Sequence, residues 1–229
     1  MAGMKTSRLT SNDRAVLLGS RLFANLPAPA AEAVLEGATI SRHEAQDVLF
    51  HQGDAIEHVF FVVSGLVRLY GTGKGGREAD IAVFPRGALF GEKAVFLDQR
   101  ATAHAQAVHP SIIAKLDGPR LCRLVREEAD VAWALLELLC RHGQMTEKRL
   151  AEDRLLTAPQ RVANYILGQC PGDSPAFTFR LPFQKNVLAG KLGLAPEALS
   201  RAFSTLRQSG VIVKGRLIEI RDREALERF

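Results

Sequence analysis

Apolar positions along this chain change their period twice. Between about residues 40 and 117 they come in short β-branched or aromatic runs, at 48–50, 59–63, 66–70, 81–84 and 111–114. Turn formers separate these runs: Gly53-Asp54, Ser64-Gly65, the stretch from Gly71 to Gly76, Pro85-Arg86-Gly87 and Asp98. Many short strands at close spacing predict a small barrel or jelly roll. Ahead of them, residues 22–27 and 31–35 read as short helices covering one end. From 129 to 156 the pattern turns helical and holds no proline, a rod of about 42 Å at 1.5 Å per residue. A shorter helix, about 119–128, should precede it. Val131, Leu135, Leu138 and Met145 form a heptad-like seam that His142 interrupts. A long helix with such a seam predicts pairing with a second copy of the chain. The alternative is a helix packed wholly on its own barrel.

Thr157-Ala158-Pro159 ends the long helix, and a third section begins. It reads as a helix over 160–170, a loop rich in Pro, Gly and Asp, a helical pair within 184–208 and a terminal hairpin. Gly193 suits the left-handed residue that closes the first helix of the pair. Pro196 and Glu197 suit the opening turn of the second. Leu199, Ala202, Phe203 and Leu206 then recur at i, i+3, i+4 and i+7, the spacing of a face turned to a core. Glu197, Ser200 and Arg201 lie on the other face. A helix held on one side and offering an acid, a hydroxyl and a guanidinium on the other suits the DNA major groove; the plainer alternative is a surface helix with ordinary charges. Gly210 stops that helix. Residues 211–213 and 217–220 then flank Lys214-Gly215-Arg216, a basic turn placed for a phosphate. The prediction is an α+β chain in three sections: an N-terminal β jelly-roll barrel over 1–128, a long dimerisation helix over 129–156, and a C-terminal winged helix-turn-helix over 157–229.

Charge sharpens this picture. The 229 residues carry a formal charge of +5 with 47% hydrophobic content. Residues 157–229 hold eleven Lys/Arg against six Asp/Glu, so the whole excess lies on the section with the helical pair. Such asymmetry points to a polyanion partner for that section, here double-stranded DNA. Cys122, Cys140 and Cys170 are too few and too far apart for a disulfide framework or a zinc cluster, as in a reducing cytoplasm. No apolar run approaches the roughly 18 residues that span a bilayer, and the start of the chain, with Lys5, Arg8, Asp13 and Arg14, lacks a signal peptide's apolar stretch. A soluble cytoplasmic protein without a membrane partner is expected.

The chain resembles the cyclic-AMP receptor / fumarate-nitrate reduction regulator (CRP/FNR) family over nearly its whole length. The residues that carry the resemblance are Gly53-Asp54, Phe61-Val62-Val63-Ser64-Gly65, Phe90-Gly91-Glu92 and Pro196-Glu197-Ala198-Leu199-Ser200-Arg201. The last string is similar to the FNR branch, whereas the CRP branch has an Arg where Pro196 stands. A longer C-terminal string, from Leu181-Pro182 and Lys185 to Phe229, is similar to the dissimilatory nitrate-respiration regulators. The resemblance implies an effector-responsive homodimer that binds palindromic promoter sites with TTGAT-like half-sites and works with RNA polymerase. Carried onto this sequence, Arg201 would meet a guanine, Glu197 a cytosine amino group, and Ser200 a thymine or the backbone, pairings that agree with base-edge geometry. Lys185, Lys214 and Arg216 are further DNA-binding candidates.

Two effectors stay open. The resemblance to CRP-like proteins implies a cyclic nucleotide, with Gly91-Glu92 on the ribose, Arg100-Ala101 on the phosphate and Thr146 toward the base. The resemblance to the nitrate-respiration regulators implies nitric oxide sensed through haem, with His43, His51, His58, His104, His109 and His142 as candidate axial ligands. An iron–sulfur cluster is not expected, because the first 121 residues contain no cysteine. The stretch from Gly71 to Gly76 lacks the spacing of a phosphate-binding loop and reads as a hairpin. His104 and His109, five apart with no third ligand, are weak for a metal. No catalytic arrangement stands out. The alternatives from other classes are a cupin-like metal enzyme and a cyclic-nucleotide-binding protein that does not bind DNA.

Overall fold

The computed structural model describes residues 6–73, 76, 78–97, 100–172 and 174–229. Lys5, Asp98 and Asp173, and Lys74 and Gly75 of the glycine-rich connection, lie outside the described residues. The chain divides into two compact units, Met1–Gln144 and Met145–Phe229.

The first unit runs β1 (Thr6–Arg8), α1 (Ser11–Leu18), α2 (Ala28–Leu35), β2 (Thr39–His43), β3 (Val48–Phe50), β4 (His58–Ser64), β5 (Leu66–Thr72), β6 (Glu78–Pro85), β7 (Leu89–Phe90), α3 (Glu92–Phe96), β8 (His104–Ala107), β9 (Ser111–Asp117), α4 (Gly118–Glu127) and the start of α5 (Ala129–Leu155). Two antiparallel sheets result, in the orders β1-β2-β9-β4-β7 and β3-β8-β5-β6. The unbroken apolar run of β4 follows from burial on both faces. Val59, Phe61 and Val63 pack with Leu17, Val34 and Leu121 of the helices, while Phe60 and Val62 join the interior shared with Phe50, Val67, Phe90 and Ala105. Phe50, Phe60, Phe84 and Phe90 stack through that interior, with ring centroids 5.0–6.3 Å apart.

Strand β8 was not anticipated. His-Ala-Gln-Ala has little β propensity, yet it pairs with β3 and β5, and Ala105 and Ala107 are fully buried. Its place between two strands overrides its composition. The opening helices also differ from expectation: α1 forms over Ser11–Leu18 behind a capping box from Thr10 to Asp13, and residues 22–26 are a turn.

The long helix ends within one residue of its expected stop, but the expected seam faces elsewhere. Val131 and Leu135 are buried in the core beneath the barrel, and Leu138 packs against it. The heptad-like spacing therefore recorded a contact of the helix with its own unit. Met145, the fourth member of the expected seam, lies in the second unit and is 70% exposed; also exposed along the helix are Trp133 at 70%, Leu136 at 51%, Cys140, Gly143 and Leu150.

The second unit takes the end of α5 and adds α6 (Ala158–Leu167), β10 (Phe177–Arg180), α7 (Lys185–Lys191), α8 (Pro196–Leu206), a 3-10 turn (Arg207–Ser209), β11 (Val211–Lys214), β12 (Leu217–Ile220) and α9 (Arg223–Glu227). Gln160 Oε1 accepts from the Thr157 N–H at 3.0 Å, a cap that restarts the chain as α6. The three strands order β10-β12-β11. Strand β10 lies where a loop was expected: its Phe-Thr-Phe-Arg alternation pairs residue for residue with β12 and buries Phe177.

Candidate nucleic-acid interface and effector site

Helix α8 has the two faces its spacing required. Leu199, Ala202, Phe203 and Leu206 are all at most 6% exposed, while Glu197, Ser200 and Arg201 are exposed. The Ser200 hydroxyl donates to the Pro196 carbonyl at 3.0 Å, which leaves its oxygen lone pairs to accept. A helix so placed offers an acceptor at Glu197, an acceptor at Ser200 and a fork of donors at Arg201.

The turn between α7 and α8 is held by guanidinium groups of the same unit. Arg149 donates to the Gly190 carbonyl and Arg161 to the Leu192 carbonyl, each at 3.0 Å. These are carbonyls at the end of α7, where the negative end of its dipole lies; that of Gly190 also accepts from the Gly193 N–H at 3.0 Å. Asp153 binds Arg161 from the last turns of α5. Gly193 sits at φ +63°, so the turn needs glycine for its conformation. Sequence reasoning missed Arg149, Asp153 and Arg161; nothing local marks guanidinium groups whose carbonyl partners lie 41 and 31 residues away.

At the wing, Lys214 pairs with Leu217 across a two-residue loop of Gly215 and Arg216. Gly215 takes φ +61°, the left-handed residue a tight hairpin needs at its first loop position. Lys214 is exposed and Arg216 half-buried. Lys185, at the start of α7, is half-buried with its ammonium 5.7 Å from the Phe203 ring centroid, held against the base of α8.

In the barrel, Gly91 precedes α3 at φ +86°, and an added Cβ would lie 2.8 Å from Phe60 Cδ2, so no other residue fits without strain. Glu92 follows, 4% exposed, with its Oε1 3.2 Å from Nδ1 of His142 on α5. Arg100 lies across a short β-bridge from Ala55 and donates to the Gly53 carbonyl at 2.9 Å; Ala101 is buried and exchanges backbone bonds with Gly53 and Asp54. Gly91, Glu92, Arg100 and Ala101 thus all belong to the first unit, whereas Thr146 belongs to the second. His142 was an unexpected partner for Glu92; it had entered only as an interruption of the helical seam and as one of six haem candidates.

The remaining histidines have separate settings. His43 is buried with Nε2 2.9 Å from the Ser41 hydroxyl, and burial together with the nearby Lys115 ammonium pushes its pKa below the usual histidine value. His58 lines a cleft of about 350 Å³ with Leu49, Phe50, Ile56, Phe60 and Lys115. His104 meets His51 rather than His109. Among the described residues no group of three or more His, Cys, Asp or Glu stands together for a metal, and no helix is long and apolar enough to cross a membrane.

Residues 40–128 match the cyclic nucleotide-binding domain family, and residues 160–229 match the Crp-like helix-turn-helix domain family. Over 211 residues the chain is 30% identical to the cyclic AMP receptor protein of Thermus thermophilus, spanning 91% of this chain and 96% of that relative. The chain belongs to the CRP/FNR family. It is also 26% identical over 181 residues to the transcriptional activator protein FnrA of Stutzerimonas stutzeri, spanning 77% of this chain and 74% of FnrA. The crystal structure of DNR from Pseudomonas aeruginosa matches with a TM-score of 0.54 at 26% identity, over 96% of this chain and 99% of that one. This CRP/FNR protein is therefore an effector-responsive, DNA-binding transcription regulator and not an enzyme.

Proposed function

We propose that this regulator acts in the cytoplasm as a homodimer that reads palindromes of TTGAT-like half-sites, recruits or blocks RNA polymerase there, and is switched by a cyclic nucleotide bound in the barrel. Arg201 forks onto guanine O6 and N7, Glu197 accepts from cytosine N4, and Ser200 contacts a thymine or the backbone. Lys185, Lys214 and Arg216 take phosphates and set register. Two recognition helices must lie about 34 Å apart to engage both half-sites. The exposed series Trp133, Leu136, Cys140, Gly143 and Leu150 has alternating three- and four-residue steps apart from one skipped position at Glu147, which supports helix pairing along that stripe.

The observation that carries the switch is the buried Glu92 carboxylate on His142. A ribose hydroxyl that takes Glu92 competes with a side chain of the long helix, so occupancy of the barrel alters how that helix is held. Arg100 spends one N–H on Gly53 and keeps further donors for a cyclic phosphate. At its far end the same helix grips the turn before α8 through Arg149 and through Asp153 on Arg161. The nucleotide works only by binding one arrangement of the helix better than the other. Adding cyclic AMP to the purified protein should raise its affinity for a TTGAT palindrome, and Arg100→Ala should abolish that rise. A rise of full size in the variant would contradict the assignment.

A second reading, nitric oxide sensed through haem, is supported by the cleft around His58. It offers an imidazole to an iron and apolar walls from Leu49, Phe50, Ile56 and Phe60, with Lys115, Asp54 and Glu57 as its charged lining. Bound haem would supply the iron that takes nitric oxide. The absorption spectrum of freshly purified protein separates the two: a Soret band lost in His58→Ala supports haem, and a spectrum without one supports the nucleotide.

A further inference from the structure

We propose that the cleft between the 20–26 turn and the first half of α5 binds a free α-amino acid with an apolar side chain. The cleft has a volume of about 310 Å³ and lies wholly within the first unit. That size is at the lower end of the range for small-molecule sites. None of its lining residues belongs to the site given to the nucleotide or to the cleft around His58.

Its two walls follow from local structure. Leu22 and Phe23, at 4% and 3% exposure, pin the turn into the core beneath the barrel. The Ala24 N–H donates to the Ser20 carbonyl at 2.8 Å, a helical turn that sends Arg21 and Asn25 out on one side. Opposite them, Ala134, Glu137, Leu138 and Arg141 recur at i, i+3, i+4 and i+7 on one face of α5. Ala134 is buried and Leu138 packs on the same core, so the floor is apolar.

The polar groups around that floor are of two unlike kinds. Arg21 and Asn25 are exposed, and neither side chain has a hydrogen bond or ion pair among the described residues. Arg141 donates from Nε at 3.1 Å and from Nη2 at 2.5 Å, both to Oε1 of Glu137. Oε2 of Glu137 and Nη1 of Arg141 therefore keep their bonding capacity. Arg21, with Asn25 beside it, suits a carboxylate, which a guanidinium can hold by two bonds. Glu137 Oε2 suits an ammonium, and Ala134 with Leu138 suits an apolar side chain. An α-amino acid carries all three groups on one carbon. A plain carboxylate would leave Glu137 unmatched, and a plain amine would leave Arg21 unmatched. Binding would tie the turn to α5 over residues 134–141, just before His142, whatever the barrel itself takes.

L-Leucine titrated calorimetrically into the full-length protein should show one saturable site per protomer. Isocaproate lacks the ammonium and isoamylamine lacks the carboxylate; each should bind about tenfold or more weakly, as for a lost hydrogen bond to a charged group. Glycine, without a side chain, should also bind more weakly than leucine. Arg21→Ala and Glu137→Gln should each weaken leucine by a similar factor, while Arg100→Ala should bind it as the unmodified protein does. Far-UV circular dichroism confirms that each variant is folded. The absence of a leucine site in the unmodified protein, full affinity in folded Arg21→Ala and Glu137→Gln, or loss of the site in folded Arg100→Ala would overturn the proposal. Equal affinity for leucine and isocaproate would overturn the assignment to an amino acid.

Discussion

The reader unit and the barrel unit present their chemistry in opposite ways. In the reader, the side chains proposed for DNA stand exposed on a helix whose other face is packed, with Leu199 and Leu206 at 2% and 0% exposure behind Glu197, Ser200 and Arg201. In the barrel, the central candidate is a carboxylate at 4% exposure already held by His142. The reader's proposed contacts face a ligand that arrives from outside, and those groups would lose water only on contact. The barrel has its polar group paired in advance, so an effector must exchange one partner for another. Recognition by exposed groups and switching by competition for a buried one make different demands, and substitutions should separate them.

The largest effect should come from removing the support behind the reading face. Phe203→Ala opens a cavity at a residue 6% exposed and should cost about 3–5 kcal/mol. Calorimetry should show the second unit melting earlier, with DNA binding lost, while nucleotide binding by the barrel persists. If both units lose stability alike, the division between them is mistaken.

Next in size is the reading itself. Arg201→Ala should remove about 1–3 kcal/mol of preference at one base pair and leave non-specific binding in place, measured against duplexes changed at single positions. An unaltered base preference would remove α8 from the major groove. Smaller still is Lys214→Ala, which should weaken binding to every sequence alike and lower the slope of log affinity against log salt by about 1.

Why the reader was more legible than the barrel follows from where its information lies. In α8 both faces are written within eleven residues, so period alone separates Glu197, Ser200 and Arg201 from Leu199, Ala202, Phe203 and Leu206. The pairs that define the barrel join distant positions: Glu92 with His142, and His51 with His104. No local spacing marks such pairs. Strand β8 was hidden for a related reason, since Ala105 and Ala107 owe their place to the strands on either side. The long helix was legible in extent but not in direction. Val131, Leu135 and Leu138 satisfy a heptad, and the same spacing serves a helix lying on its own core.

A smaller test addresses the barrel through pH. The pKa of His43 is depressed in the folded state, chiefly by burial and then by Lys115. The unfolded chain therefore binds a proton first as pH falls. Stability from this group is complete above about pH 6.5, the ordinary histidine value, and declines from there down to the lower folded-state pKa. His43→Gln retains a partner for Ser41 and should flatten the fall in barrel melting temperature below that pH. An equal fall in the variant would assign the acid sensitivity to other groups.

The central claim is a symmetric dimer that presents two copies of α8 to DNA under effector control. Analytical ultracentrifugation with a fluorescent TTGAT palindrome, with and without cyclic AMP, tests it most directly. The account predicts two protomers per duplex, tighter binding with the nucleotide, and loss of affinity when one half-site is scrambled. One protomer per duplex, or equal affinity for intact and scrambled sites, would contradict it.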